Sequence, residues 1–131
     1  MKEFTLDAYQ EQAAITAIYP GAVEIVTEAT IGADSREASY DLFGLVYLAL
    51  GLAGEAGEFA NKVKKVLRDH GGRITEEMHT DLLDELGDGL WYLSQAARHL
   101  DCSLNTVAAM NLAKLQERRS GGKIGGLGDK R

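Results

Sequence analysis

Cysteine, clusters of basic residues and long apolar runs are all scarce in this sequence, and each scarcity excludes a class of protein. Cys102 is the single cysteine, so no internal disulfide can form, and we expect a small structural residue in a reducing cytoplasm rather than a nucleophile. The 14 lysines and arginines stand against 20 aspartates and glutamates, a net charge of −6 without a basic stripe, which argues against nucleic acid as the main partner. No apolar segment follows Met1, and we expect no membrane-spanning run.

Strands with clear alternation and internal repeats are also missing, whereas apolar residues recur at helical spacing along most of the chain. We expect an all-α fold, a single domain over residues 1–131 built as an antiparallel helical bundle. The predicted helices are Leu6 to Ile18 after the cap Thr5, about Tyr40 to Arg68, Thr75 to about Leu100, and a last helix from the cap Ser103 to near Arg119. Residues 20–38 could be a hairpin, a helix or a loop, and residues 120–131 form a glycine-rich tail.

Two acidic motifs are the most informative feature of the chain. Glu55 and Glu58 form the first and Glu85 and Asp88 the second, and 26 residues lie between Glu58 and Glu85. Residues three apart share one face of a helix, so each motif places two carboxylates side by side. If the two helices are neighbours, four carboxylates come together, and such a group is stable only with cations.

The helical positions of these motifs argue against a solvated acidic face. At about 100° per residue, Leu48 and Val66 fall within about 20° of Glu55, which therefore lies in the apolar stripe of its helix. Glu85 likewise lies in the apolar stripe of its own helix. Each motif thus places one carboxylate inside the stripe and its partner at the edge, and an uncompensated carboxylate there costs several kcal/mol.

Oxygen ligands alone favour hard cations, so we expect Mg²⁺, with Mn²⁺ able to substitute, and two or more ions per site. A di-iron bundle is expected to carry Glu-x-x-His pairs, and neither motif has a histidine at the matching place. His79 and His99 flank the second motif, but a lone histidine on a helix is more often structural.

Candidate substrate-binding residues follow on the last helix. Asn111, Lys114 and Arg118 are spaced i, i+3 and i+7 and share one face. Asn111 also lies on the apolar stripe that includes Leu104 and Leu115, so we expect it to be a buried polar group with a partner. Beside a metal site, an amide and two cations suit a phosphorylated substrate.

Other residues near the motifs could serve the same substrate. Lys62 and Lys65 follow the first motif by one and two turns, and Tyr92 lies at the edge of the stripe near Asp88, where it could stack on a ligand or pack in the core. Trp91 is assigned to the core or to an interface. The helical glycines Gly44, Gly51, Gly54 and Gly57 each cost up to about 1 kcal/mol relative to alanine, so we expect another helix or a ligand to approach them closely.

Residues 51–58, 84–92 and 111–115, taken in order, resemble the MazG-like nucleoside triphosphate pyrophosphohydrolases. The resemblance implies a helical bundle that forms a homodimer or homotetramer and cleaves a nucleoside triphosphate between the α and β phosphates. Glu55, Glu58, Glu85 and Asp88 match the family's metal-binding carboxylates, and Asn111 and Lys114 match its substrate-side positions. The tail 125–131 is similar to family tails that fold near the substrate.

The mechanism expected from these residues has two parts: a carboxylate freed from direct ligation, for which Glu58 is our choice, takes a proton from the attacking water, and Lys114 and Arg118 stabilise the leaving pyrophosphate. Two alternatives stay open, a relative acting on a phosphoribosyl-nucleotide and a non-catalytic helical adaptor that binds nucleotide or metal. The preferred base and sugar are not determined by the sequence.

Overall fold

The structure, a computed structural model, describes residues 4–19 and 42–121, and these ranges contain helices without any strand. The elements are α1 (Leu6–Ala13) continued by a 3-10 turn (Ala14–Thr16), α2 (Leu42–His70), α3 (Glu76–His99) and α4 (Leu104–Ser120). The all-α prediction is therefore confirmed for the described ranges. The undecided segment 20–38 and the glycine-rich tail after Gly121 lie outside them.

Helix starts agree with the predicted caps. Thr5, Thr75 and Ser103 each accept a hydrogen bond on their side-chain oxygen from the backbone N–H three residues later, which satisfies one free donor of the first turn. The end of the first helix was predicted wrongly, because α1 stops at Ala13 rather than Ile18. The hydroxyl of Thr16 donates to the carbonyl of Ala13 at 2.8 Å, and such side-chain bonds compete with continued α-helix.

The central unit is an antiparallel hairpin of α2 and α3, which form the most extensive helix–helix contact of the described chain. Gly71 and Gly72 connect them with φ of 57° and 81°, values that glycine adopts without steric cost. The N–H of Gly72 donates to the carbonyl of Val66 at 3.1 Å and closes the end of α2. This tight turn sets the register in which α2 faces α3.

The side chain of Gln10 attaches α1 to the corner between α3 and α4. Its amide nitrogen donates to the carbonyls of Ser94 at 2.9 Å and Cys102 at 3.2 Å, and its oxygen accepts from the N–H of Leu104 at 3.1 Å. Because Gln10 is buried and fully bonded, it fixes α1 and the following 3-10 turn against α3. Cys102 is half-buried in this corner, as expected for a small structural residue.

The first turn of α4 packs against the rest of the described chain, and most of the helix beyond it is exposed. Leu104 is buried, but Leu115 is 48% exposed and Asn111 is exposed. The predicted burial of Asn111 is therefore wrong for the single chain, because α4 beyond its first turn lies against neither α1 nor α3 closely enough to cover that face.

The helix α2 is long and apolar enough to cross a membrane by length and composition alone. This corrects the expectation that no run reaches membrane-spanning length. Length and composition of this kind also occur in the core helices of soluble proteins. Several apolar side chains of α2, among them Leu42, Val46 and Leu50, are exposed in the single chain.

Candidate metal centre and adjoining cleft

Three of the four motif carboxylates meet across the α2–α3 hairpin. Oxygens of Glu55, Glu85 and Asp88 all lie within 4.8 Å of one another. Glu85 is buried, Glu55 is half-buried and Asp88 is exposed, so the predicted placement of one carboxylate inside each stripe is confirmed. Glu58 is exposed and lies outside this group of three, although its charge acts on Glu55.

The charges of this cluster oppose one another. The pKa of Glu55 is raised, first by burial, then by the charges of Asp88, Glu58 and Glu85, and finally by a hydrogen bond with Glu85. A bound cation removes this repulsion, and the cluster offers only carboxylate oxygens, the ligands that hard divalent ions prefer. The residues therefore fit Mg²⁺ or Mn²⁺, and the absence of histidine from the cluster argues against di-iron.

Of the two lysines after the first motif, Lys62 reaches the cluster. Its Nζ lies 2.6 Å from Oε1 of Glu85 and donates to the carbonyl of Asp81 at 3.1 Å. The pKa of Lys62 is raised, chiefly by its hydrogen bond with Glu85. Lys65 is exposed and makes no hydrogen bond or ion pair within the described ranges. The buried carboxylate of Glu85 is thus held in place by one fixed cation.

A cleft of about 300 Å³ adjoins the carboxylates. Its lining consists of Thr16, Glu55, Asp88, Trp91 and Tyr92. Tyr92 was predicted as a substrate residue and lies here, whereas Thr16 and the cleft-lining role of Trp91 were missed. No sequence pattern links Thr16 to Trp91, which are 75 positions apart, and the fold alone brings them together.

Two tyrosine hydroxyls also lie near the acidic group. The pKa of Tyr92 is raised, first by burial, then by Tyr47 and by the charge of Glu55. The pKa of Tyr9, on α1, is raised by burial and then by the charge of Asp88. Both tyrosines therefore stay protonated and can donate hydrogen bonds near the carboxylates at neutral pH.

Gly51 leaves room for the ring of Tyr92, which lines the cleft. This contact is a close approach of the kind predicted for the helical glycines. A Cβ atom at position 51 would overlap the ring of Tyr92, whereas one at Gly54 or Gly57 would meet nothing within 4 Å in the described chain. The prediction of close approach is therefore confirmed for Gly51. Within the described part of the single chain it is not met at Gly54 or Gly57.

We expect Gly51→Ala to lower the free energy of unfolding by about 1–3 kcal/mol, because overlap with the aromatic ring outweighs the better helix propensity of alanine. Urea unfolding followed by circular dichroism measures this change. Gly87→Ala is the matched control, since a Cβ atom there meets nothing within 4 Å, and we expect it to be neutral or stabilising. Equal stability of the two variants would contradict the close approach.

The structure of the single chain does not bring the predicted α4 residues to the cluster. Asn111 and Lys114 are exposed and Arg118 is half-buried. None of the three forms a hydrogen bond or ion pair with the motif carboxylates in the part of the chain that is described. If these residues contact substrate, they do so through groups outside this part or through another subunit.

The fold and the cluster define an all-α protein whose helical hairpin carries a carboxylate site suited to divalent cations. A family model described as the MazG nucleotide pyrophosphohydrolase domain matches residues 44–121, which include α3 and α4 and all but the first two residues of α2. The "Gene 37 protein" of Mycobacterium phage L5 is 51% identical over 126 residues, covering 96% of this chain and 98% of the phage protein. No solved structure matches significantly. The chain belongs to the MazG nucleotide pyrophosphohydrolase family.

Proposed function

We propose that this protein hydrolyses nucleoside or deoxynucleoside triphosphates between the α and β phosphates in a Mg²⁺-dependent reaction, releasing a monophosphate and pyrophosphate. The observation that carries the proposal is the meeting of Glu55, Glu85 and Asp88 inside the segment that matches the family. Such a reaction cleans or reshapes a nucleotide pool. A purely structural role would not explain why carboxylates that repel one another surround a buried glutamate.

In this proposal Glu55, Glu85 and Asp88 hold a divalent ion, and Glu58 either joins them at a second ion or stays free. A bound ion supplies Lewis-acid stabilisation of phosphate oxygens and lowers the pKa of a water molecule. Lys62 orients Glu85 through the 2.6 Å ion pair. The position of this carboxylate in the cluster is thereby fixed.

Glu58 is the residue we assign to proton transfer. It is exposed, lies one turn from Glu55 on α2, and is not among the three clustered carboxylates. A carboxylate that is close to the ions without being saturated by them can accept a proton from the attacking water. Glu58 is therefore the general base in this mechanism.

We further propose that the protein forms a homodimer or homotetramer. Leu42, Val46 and Leu50 are 48–69% exposed and lie with Gly54 and Gly57 within about 120° of arc on α2. This face is opposite the one that packs on α3, and its two glycines, open in the single chain, would let another helix approach closely. A second copy of the chain would cover it, and its own Asn111, Lys114 and Arg118 could then complete the substrate site.

The oligomer is tested by light scattering. We expect a mass of two or four times the 14.2 kDa of the chain. Leu50→Glu, which introduces a charge into the proposed interface, should shift the protein towards the monomer, whereas Ile74→Glu in the α2–α3 connection, exposed to a similar degree, should not. A monomeric wild-type protein would contradict the proposal.

Product analysis tests the reaction itself. With ribo- and deoxyribonucleoside triphosphates and Mg²⁺, we expect monophosphate and pyrophosphate in equal amounts, and no orthophosphate, because cleavage is placed at the α–β bond. Phosphoribosyl-nucleotides belong in the same substrate panel, and preference for them would identify the alternative relative. Orthophosphate release would contradict the bond assignment, and nucleotide binding without turnover across the panel would favour the adaptor.

A further inference from the structure

We propose that Trp91 forms the wall against which the base of the nucleotide stacks, and that Thr16 is the positioning residue that fixes the indole there. This inference rests on the proposed function, because it takes the phosphates to be held at the carboxylates. The substrate group in question is a planar, aromatic nucleobase.

The composition of the cleft supports this assignment. Glu55 and Asp88 belong both to the carboxylate cluster and to the cleft lining, so a ligand whose phosphates are held at the cluster continues into the cleft. The other lining residues are Thr16, Trp91 and Tyr92, two of which are aromatic. A volume of about 300 Å³ lies at the lower end of the range for small-molecule sites. Aromatic rings are the side chains on which bases stack most favourably.

The indole of Trp91 is held from three sides. Its Nε1 donates to the hydroxyl oxygen of Thr16 at 2.8 Å, and that hydroxyl in turn donates to the carbonyl of Ala13 at 2.8 Å. The ring meets Tyr92 edge-on, with centroids 5.0 Å apart and planes at 87°, and meets Tyr19 at 6.3 Å and 89°. Trp91 is half-buried, so part of its surface still faces the cleft.

This arrangement also determines what Trp91 can recognise. Its only hydrogen-bond donor is already used by Thr16, so Trp91 offers the base a ring surface and no directional bond. Stacking of this kind is tolerant of base identity. Trp91 therefore contributes affinity for all bases, and selection among them comes from other groups.

Thr16 lies outside the segment that matches the family. The match begins at residue 44, whereas Thr16 belongs to the 3-10 turn that follows α1 and is placed by the attachment of Gln10 to the α3–α4 corner. Thr16 therefore contributes to the proposed site from outside the matched segment. A variant at Thr16 should weaken nucleotide binding without touching the carboxylates.

Trp91 is the only tryptophan of the chain, so intrinsic fluorescence reports on the proposed wall directly. With Mg²⁺ present, an α,β-methylene nucleoside triphosphate, which resists cleavage, should change the emission on binding, whereas inorganic tripolyphosphate should bind with little change. We expect similar quenching with purine and pyrimidine analogues. This comparison uses the wild-type protein and does not depend on the folding of a variant.

Thr16→Val removes the acceptor at nearly constant volume. We expect it to weaken binding of the α,β-methylene nucleotide by about fivefold, and to leave tripolyphosphate binding unchanged in calorimetry. Thr16→Ser, which keeps the hydroxyl, should restore binding. Thr80→Val is the matched control, because the Thr80 hydroxyl bonds only within α3, to the carbonyl of Glu76.

The outcomes separate the two proposals. If both ligands bind and the emission changes equally, or if Thr16→Val loses affinity for both alike, the stacking assignment is wrong while the proposed reaction stands. If neither ligand binds in the presence of Mg²⁺, the proposed function fails and the assignment fails with it. The stacking assignment is supported if the emission changes with the nucleotide and not with tripolyphosphate, and if Thr16→Val loses affinity for the nucleotide alone.

Discussion

Replacing Glu85 by glutamine should abolish turnover, with a loss of at least about 10³-fold in kcat, while the protein stays folded. The side chain keeps its size but loses the charge that the cluster directs at the cation. Glu85 is the most buried of the clustered carboxylates, so solvent cannot replace its missing oxygen ligand. Pyrophosphate release measures the loss, and far-ultraviolet circular dichroism establishes that the helices are retained.

The control for this experiment is Glu77→Gln. Glu77 is an exposed carboxylate in the first turn of the same helix and lies outside the cluster, so its substitution should leave turnover within about twofold. Metal titration of both variants by calorimetry then tests the cause, because only Glu85→Gln should lose affinity for Mg²⁺. Full activity of Glu85→Gln would refute the mechanism.

Replacing Lys62 by methionine should make the thermal stability of the protein depend more strongly on the divalent ion. Without metal, the buried carboxylate of Glu85 loses its ion-pair partner beside Glu55 and Asp88, and we expect Tm to fall by about 5 °C. Saturating Mg²⁺ should raise Tm more in the variant than in the wild type, because the ion supplies the missing positive charge. Differential scanning calorimetry with and without Mg²⁺ measures both effects.

The stability that the Lys62–Glu85 ion pair contributes depends on pH, because the pairing raises the pKa of Lys62. The hydrogen bond and ion pair with Glu85 raise the pKa of Lys62, so the stabilisation carried by the lysine is present below its unfolded-state pKa and is lost as the pH rises through its folded-state pKa. Lys65→Met is the matched control, since Lys65 is a neighbouring lysine on α2 without an ion pair in the described ranges. Identical Tm changes in the two variants would show that Lys62 acts only through net charge.

Local chemistry made most of the fold predictable. Thr5, Thr75 and Ser103 are caps that act within three residues of sequence, and each of these three helices starts where its cap predicts. The pairing of Glu55 with Glu85 and Asp88 was also predictable, because helical periodicity placed Glu55 and Glu85 in the stripes along which α2 and α3 pack. These features depend on neighbours along the chain or on one hairpin.

The errors have a different physical origin. Periodicity placed Asn111 on an apolar stripe, but a stripe shows only that a face needs covering and not that the same chain covers it. The early end of α1 depends on the side-chain bond of Thr16. The hydrogen bond of Thr16 with Trp91 depends on the docking of α1 through Gln10, a contact between residues far apart in sequence that no local pattern encodes.

The α2–α3 hairpin has a kinetic consequence. All three clustered carboxylates lie within residues 55–88, across one tight turn, so their meeting requires only the closure of a short loop. A hairpin with so short a connection between its helices can close early, and its site can then exist before α1 and α4 dock. We therefore expect divalent ions to accelerate the refolding of this protein, because the charge repulsion that opposes closure of the hairpin is removed at the step where the two helices first meet.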